Sequence, residues 1–299
     1  MSMTTTQIRA MRPDDLSVAL DVMEAAMADF FPKVARKFTP MTDEGRKRTL
    51  HALARTLSEN HGGSFVTVNG DGLVDGMAVS VKRDGQWGLA LLFVHPDAQG
   101  RGIATHLLKH ASHYGADCTH RVIVSSENPA ALRLYLSLGL RAYPGFRASG
   151  IPQGGIRRIT SSIEPGSVAD IGLVTEIDRA NTTATRGEDI RYLLDQGARL
   201  VLGSARNTHG FAVLRPGDGL VSGSPVMLAA DTPEVARDLL LWTLQQQDGP
   251  VSLYGLTATH HWAIDACDAV RLTLRPGPTL CYAPGTSPPL TATVHGLYF

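Results

Sequence analysis

The sequence predicts an α/β protein (in the wider α+β sense) built as two successive domains, each a sheet flanked by helices. Three observations carry this. Runs of strand length alternate with helical patterns along the whole chain. The 299 residues suffice for two domains of ordinary size. Between two periodic regions lies Gly150-Ile151-Pro152-Gln153-Gly154-Gly155, a cluster of glycine and proline that marks a boundary. The expected domains are residues 1–152 and 153–299.

In the first half the pattern predicts a strand at Gln7–Met11, helices at Pro13–Phe30 and Asp43–Glu59, and strands at Ser64–Val68 and Leu73–Lys82. A strand over Gln86–Val94 ends at His95-Pro96 and delivers the chain to Gln99-Gly100-Arg101-Gly102. Apolar residues at Ile103, Ala104, Leu107, Leu108 and Ala111 then recur at helical spacing. A strand at Arg121–Ser125, a helix from Pro129 and a strand from Leu140 complete the half. The second half repeats the order. It has a strand at Ile156–Ser161, helices at Pro165–Arg179 and Gly187–Gln196, and strands at Arg199–Ser204, His209–Leu214 and Leu220–Leu228. A helix at Thr232–Gln246, a strand at Val251–Tyr254, a short helix near His261 and closing strands follow. The last segment, with Pro278, Gly285 and Pro288-Pro289, reads as loop-rich.

Composition narrows the function. Twenty-eight basic residues balance 28 acidic ones, so no global field favours nucleic acid or acidic lipid. No apolar run reaches the length of a membrane span, and the N-terminus lacks the apolar core of a signal peptide. Cys118, Cys267 and Cys281 are odd in number and widely spaced, which predicts reduced thiols in a cytoplasmic protein without a metal site.

Two glycines at the start of a helix raise a chemical question. A helix N-terminus carries unpaired N–H groups and partial positive charge, which suits phosphate, and glycine lets oxygens approach the backbone. Arg101 can add a charge-assisted contact. A plain strand-to-helix turn remains the alternative. A Walker loop is excluded because no Gly-Lys-Ser/Thr follows. A dinucleotide fingerprint fits poorly, since Thr105 stands where its third glycine belongs and no acidic residue lies on the next strand.

A second stretch is more specific. Asn128-Pro129 reads as an N-cap and first helical position, and Gly139 as a helix end. Asn128, Ala131 and Tyr135 fall on one helical face. Together the two stretches resemble the GNAT superfamily of N-acetyltransferases over roughly residues 7–150. Gln99, Gly102 and Ala104 match its loop. Asn128, Ala131, Tyr135 and Leu138-Gly139-Leu140 match its later helix, with Leu140 in place of the usual phenylalanine.

The resemblance implies two GNAT-like domains with central, mixed, mostly antiparallel sheets, and a splayed pair of parallel strands in the first. It implies acetyl-CoA as co-substrate, with Phe93 and Val94 contacting pantetheine and the acetyl carbonyl through their backbone. Backbone N–H groups of Gln99, Gly100, Arg101, Gly102, Ile103 and Ala104 would hold the diphosphate. Asn128 and Ala131 would line the cofactor, Asn128 also serving as a cap. Tyr135 matches the family's proton donor, and the alternative is a core tyrosine. The general base stays open. The strand Gln86–Val94 has no carboxylate, leaving Glu127, His95, His120 or a chain of waters. The segment Phe30–Phe38, between the first two helices, either lines an acceptor pocket or packs as a lid with a basic outer face.

His106, His110 and His113 share a helix face at metal-like spacing, but no carboxylate or cysteine joins them there, which predicts a solvated face. In the second half no glycine loop precedes the equivalent helix. Asp231 and Glu234 instead have capping-box spacing, which predicts Asp231 as the N-cap and a helix start closed to phosphate. The expected function is acetyl transfer to the primary amine of a small molecule, with a degenerate second domain shaping the acceptor site. The chain would work as a monomeric pseudo-dimer or a homodimer. Acetylation of protein lysines or N-termini, and non-catalytic acyl-CoA sensing, are the alternatives.

Overall fold

The computed structural model describes residues 7–153, 158–182, 184–215, 225–247 and 249–295. It divides into two compact units: residues 1–121 with 218–220, and residues 122–217 with 221–299. The division falls ahead of the Gly150–Gly155 stretch, of which residues 154 and 155 lie outside the described residues.

The first unit contains β1 (Gln7–Ala10), α1 (Leu16–Lys33), α2 (Asp43–Glu59), β2 (Ser64–Val68), β3 (Val74–Arg83), β4 (Gln86–Val94) and α3 (Ile103–Tyr114). Its strands are antiparallel in the order β1-β2-β3-β4. The period of two on β3 decides which helix covers which face. Met77 and Val79 join Leu16, Leu20 and Met23 of α1 in a buried cluster. Gly76, one residue out of step with them, faces the other way. A Cβ there would stand 3.0 Å from both Ile103 and Leu107, so its absence lets α3 lie close on the sheet. Helix α1 runs past its expected end at Phe30 and takes in Pro32. The connection that follows packs on itself, with Arg36 4.1 Å over the Phe31 ring and Phe38 6.0 Å from it.

The second unit takes up most of β5 (His120–Ser125), then α4 (Pro129–Leu136), β6 (Arg141–Gly150), β7 (Ser162–Pro165), α5 (Ile171–Thr182) and α6 (Gly187–Asp195). It continues through β8 (Arg199–Ala205), β9 (Thr208–Leu214), β10 (Met227–Ala230), α7 (Pro233–Gln245), β11 (Val251–Thr257), α8 (His261–Ala269) and β12 (Thr273–Tyr282). Antiparallel pairing gives the order β5-β12-β6-β11, and separately β10-β9-β8-β7. The larger core forms where α7 and α8 bury Val235, Leu239, Leu240, Leu244, Trp262 and Ala266.

Several boundaries differ from expectation. The strand predicted at Ile156–Ser161 lies partly outside the described residues, and pairing begins at Ser162. The helix expected from Pro165 starts at Ile171, because Ser167 caps a preceding turn of 3-10 helix. Pro278 belongs to no loop. It sits where the β12–β6 register shifts, a bulge that tolerates a residue without an N–H. Among the described residues no helix is long and apolar enough to cross a membrane.

Candidate functional site

The predicted site residues fall into two sets, one in each unit. In the first unit, β4 ends at Val94 and a turn of 3-10 helix over Pro96–Ala98 leads to the glycines. Gly100 has φ +77° and Gly102 has φ +80°, the left-handed region where a Cβ costs about 1–2 kcal/mol. A Cβ at either position would meet no atom within 4 Å. Backbone conformation, not packing, therefore demands glycine here, and the space above both residues is open.

Helix α3 begins at Ile103 with Gly102 as an N-cap that supplies no side-chain acceptor. The first turn has no acidic residue, and the N–H of His106 is the one that bonds back to Gly102. The N–H groups of Ile103, Ala104 and Thr105 precede the first intrahelical bond and point out of the helix start. Two side chains brace the loop. Gln99 Nε2 donates to the Val94 carbonyl at 3.1 Å, and Arg101 Nη2 donates to the Asp97 carbonyl at 2.8 Å. The result is a helix start with unpaired backbone N–H groups, partial positive charge and open space beside its glycines, features that suit an anionic group.

Two features of this unit escaped the sequence. Pairing of β3 with β4 slips between Val79/Leu91 and Ser80/Leu89, so Ala90 is an extra residue that bulges β4 just before Phe93 and Val94. Asp75 on β3 comes to the end of β4, its carbonyl receiving the His95 N–H at 2.8 Å and its carboxylate the Thr67 hydroxyl at 2.6 Å. Of the histidines weighed as bases, His95 stays at the loop, with Nδ1 accepting the Asp97 N–H at 3.4 Å. The His120 N–H instead meets Gly85, at the start of β4 and about 25 Å along the strand from Val94. That separation removes His120 from the loop. His106, His110 and His113 are exposed, and the His110 ring packs 5.4 Å from Phe65. Among the described residues no cluster of His, Cys, Asp or Glu is placed to hold a metal ion.

In the second unit, Asn128 caps α4 as its sequence implies, Oδ1 accepting the Ala130 N–H at 2.9 Å. Proline at N1 fixes that geometry. Ala131 is half-buried and Tyr135 is 6% exposed on the same helix. Burial, with a smaller contribution from the Cys281 thiol, raises the Tyr135 phenol above its ordinary value. Tyr135 thus keeps its proton at neutral pH, and burial likewise pushes the Cys281 thiol up to about 11. Glu127 is not a freely solvated residue. It pairs with Arg147 of β6 at 3.3 Å, an interaction between distant residues that sequence spacing could not reveal.

The second unit's α7 also departs from its expected start. The N-cap is Thr232, whose hydroxyl accepts the Val235 N–H at 3.4 Å, and not Asp231. Pro233 has its φ fixed for the first helical position, which makes the residue before it the cap. Asp231 turns away and accepts the His209 N–H of β9 at 2.7 Å.

Residues 21–140 match the model of the Acetyltransferase (GNAT) family, whose chemistry is acyl-CoA-dependent acetyl transfer. Similar solved structures include a putative acetyltransferase from Pyrococcus horikoshii, with TM-score 0.76 and 18% identity, covering 100% of this chain and 97% of that one. A GCN5-related N-acetyltransferase from Sphaerobacter thermophilus has TM-score 0.61 and 14% identity, with 97% of each chain covered. One from Kribbella flavida has TM-score 0.57 and 15% identity, covering 93% of this chain and 71% of that one. These likenesses establish the fold over the length of the chain. No curated protein matches the sequence.

Proposed function

We propose that the chain is an N-acetyltransferase that moves the acetyl group of acetyl-CoA to the primary amine of a small molecule, directly and within a ternary complex. The observation that carries this reading is the start of α3, where two left-handed glycines and an uncapped first turn leave backbone N–H groups for a diphosphate. In this reading the N–H groups from Gln99 to Ala104 hold the diphosphate, and Arg101 adds charge. Phe93 and Val94 offer backbone to the pantetheine, while Asn128 and Ala131 line it.

The transfer forms a nitrogen–carbon bond and breaks a carbon–sulfur bond. It requires one proton to leave the amine and one to reach the departing thiolate. Tyr135 supplies the second proton, since its buried phenol is held in the acid form. Glu127 receives the first. Its pairing with Arg147 fixes the position of the carboxylate, which suits uptake of a proton through a bridging water. Residues 1–152 would provide the donor side and residues 153–299 the acceptor side, in a monomeric pseudo-dimer or a homodimer.

The test is thiol release from acetyl-CoA across amino acids, polyamines, aminoglycosides and peptides. Amine-dependent release is expected, and Tyr135→Phe should lower turnover roughly a hundredfold with acetyl-CoA affinity unchanged. Release with peptides alone would replace this reading with protein acetylation. Tight acetyl-CoA binding without release for any amine would replace it with sensing.

A further inference from the structure

The sheet of the second unit sets two arginines side by side and gives only one of them a partner. Arg147 on β6 and Arg275 on β12 stand directly opposite in the antiparallel register, so their side chains leave the same face. Like charges so placed oppose the pairing of their strands. Arg147 meets the Glu127 carboxylate at 3.3 Å, with its side chain 13% exposed. Its Nη1 is buried and makes no hydrogen bond among the described residues. Arg275 is exposed and forms no hydrogen bond or ion pair with a described residue. Two guanidinium groups and one carboxylate thus leave a formal excess of one positive charge on this face.

Neither strand crowds the pair. The flanking pairs on the same face are Ser149 with Thr273 and Gly145 with Gly277, so no bulky side chain of β6 or β12 stands beside the arginines. The charges select the ligand. A plain anion would meet repulsion from Glu127, and a phosphate dianion would exceed the single positive excess. A zwitterion whose amine and carboxylate lie close together meets neither objection. Its carboxylate accepts from the Arg275 guanidinium, a charge-assisted contact that the planar fork can make through two N–H groups. Its amine comes to Glu127, which receives the amine proton in the proposed transfer.

We propose that the acceptor is an α-amino acid and that Arg275 determines this specificity by holding its free carboxylate beside Glu127 and Arg147. The inference rests on acetyl transfer to a small amine and narrows that class to amines with a neighbouring carboxylate. The two arginines then differ in role as they differ in partners. Arg147 fixes Glu127, and Arg275 faces the substrate.

Thiol release from acetyl-CoA by the full chain tests this with matched acceptors, the common amino acids and their carboxamides. In its best pair the wild type should prefer the amino acid by about tenfold or more in kcat/KM, chiefly through KM. Arg275→Gln changes an exposed position that the fold should tolerate, and it should cut that preference by about tenfold or more. The ratio within a pair is the readout, because a loss of structure alone would lower both members alike. Equal use of amino acid and carboxamide by the wild type overturns the carboxylate contact and leaves acetyl transfer in place. An unchanged ratio in Arg275→Gln does the same. If no amine releases thiol, the transfer reading fails, and calorimetry with the same pairs in the presence of CoA decides the carboxylate contact. An amino acid that binds the wild type about tenfold or more tighter than it binds Arg275→Gln supports it. Equal or absent binding of amino acid and carboxamide overturns it.

Discussion

Helices α3 and α7 each follow a strand and begin in opposite ways. Helix α3 starts on Gly102, with no side-chain acceptor, no acid in its first turn and open space above two left-handed glycines. Helix α7 starts on Thr232, with Pro233 at its first position, Glu234 beside it and the Thr232 hydroxyl on the Val235 N–H. The same backbone need, free N–H groups at a helix start, is met in α7 by the chain itself and in α3 is left for something else. The difference teaches where to look for an anionic ligand: at the helix start that the sequence declines to cap.

The sharpest way to break this comparison is to close the open start. Gly102→Glu adds strain at a left-handed position and places a carboxylate where the diphosphate would sit, and the open space should let the fold survive. Calorimetry on the wild type should give one acetyl-CoA per chain. The variant should lose at least a hundredfold in affinity with an unchanged circular dichroism spectrum. Two equivalents in the wild type would show that α7 also serves as a seat.

How much of this was legible follows from where the determining contacts lie. The limits of β2, β4 and α2, and the Asn128 cap, come from local alternation, proline and capping chemistry, and they are where the sequence places them. The cap of α7 was equally local and was misread. The spacing of Asp231 and Glu234 outweighed Pro233, although the same proline rule identifies Asn128. The strand β12 is another matter. It inserts between β5 and β6, pairing Tyr282 with Val122 and with Arg141, and no local pattern names partners more than a hundred residues away. The Glu127–Arg147 pair and the bulge at Ala90 are set by how strands and turns meet in space, which no local residue pattern spells out. At the candidate site, then, the glycine-led start of α3 was legible while the electrostatic partners were not.

A second test weighs how firmly α7 is held by its own chain. Asp238 on α7 accepts the N–H and hydroxyl of both Thr160 and Ser161 at 2.9 Å, and pairs with Arg237 at 2.8 Å. Burial alone would raise its pKa. Arg237 and the N–H donors overcome this and hold it down at about 2, against an ordinary 3.8. A depressed carboxylate stabilises the fold above its ordinary value, and that contribution fades as pH falls from about 4 through about 2. Asp238→Asn should therefore lose on the order of 1–2 kcal/mol at pH 7, allowing for partial screening by solvent. Its denaturation midpoint should also vary less than the wild type's between those pH values. An equal acid dependence in both proteins would show that this anchor does not hold α7.

The smallest effect separates the two readings of the α7 start. Thr232→Ala removes the hydroxyl that accepts the Val235 N–H, so it should cost about 1 kcal/mol in urea denaturation. Acetyl-CoA affinity should stay as it was, because in the proposed scheme the ligand seat is at α3. Asp231→Ala removes a different bond, to the His209 N–H of β9, and leaves the cap in place. Its loss, on the order of 1 kcal/mol, should therefore be felt at β9 and not at the helix. Amide exchange distinguishes the two. Thr232→Ala should speed exchange at Val235, and Asp231→Ala should speed it at His209. If Asp231→Ala instead exposes Val235 and Thr232→Ala leaves it protected, the acid is the cap after all, and the contrast between the helices rests on a carboxylate rather than a hydroxyl.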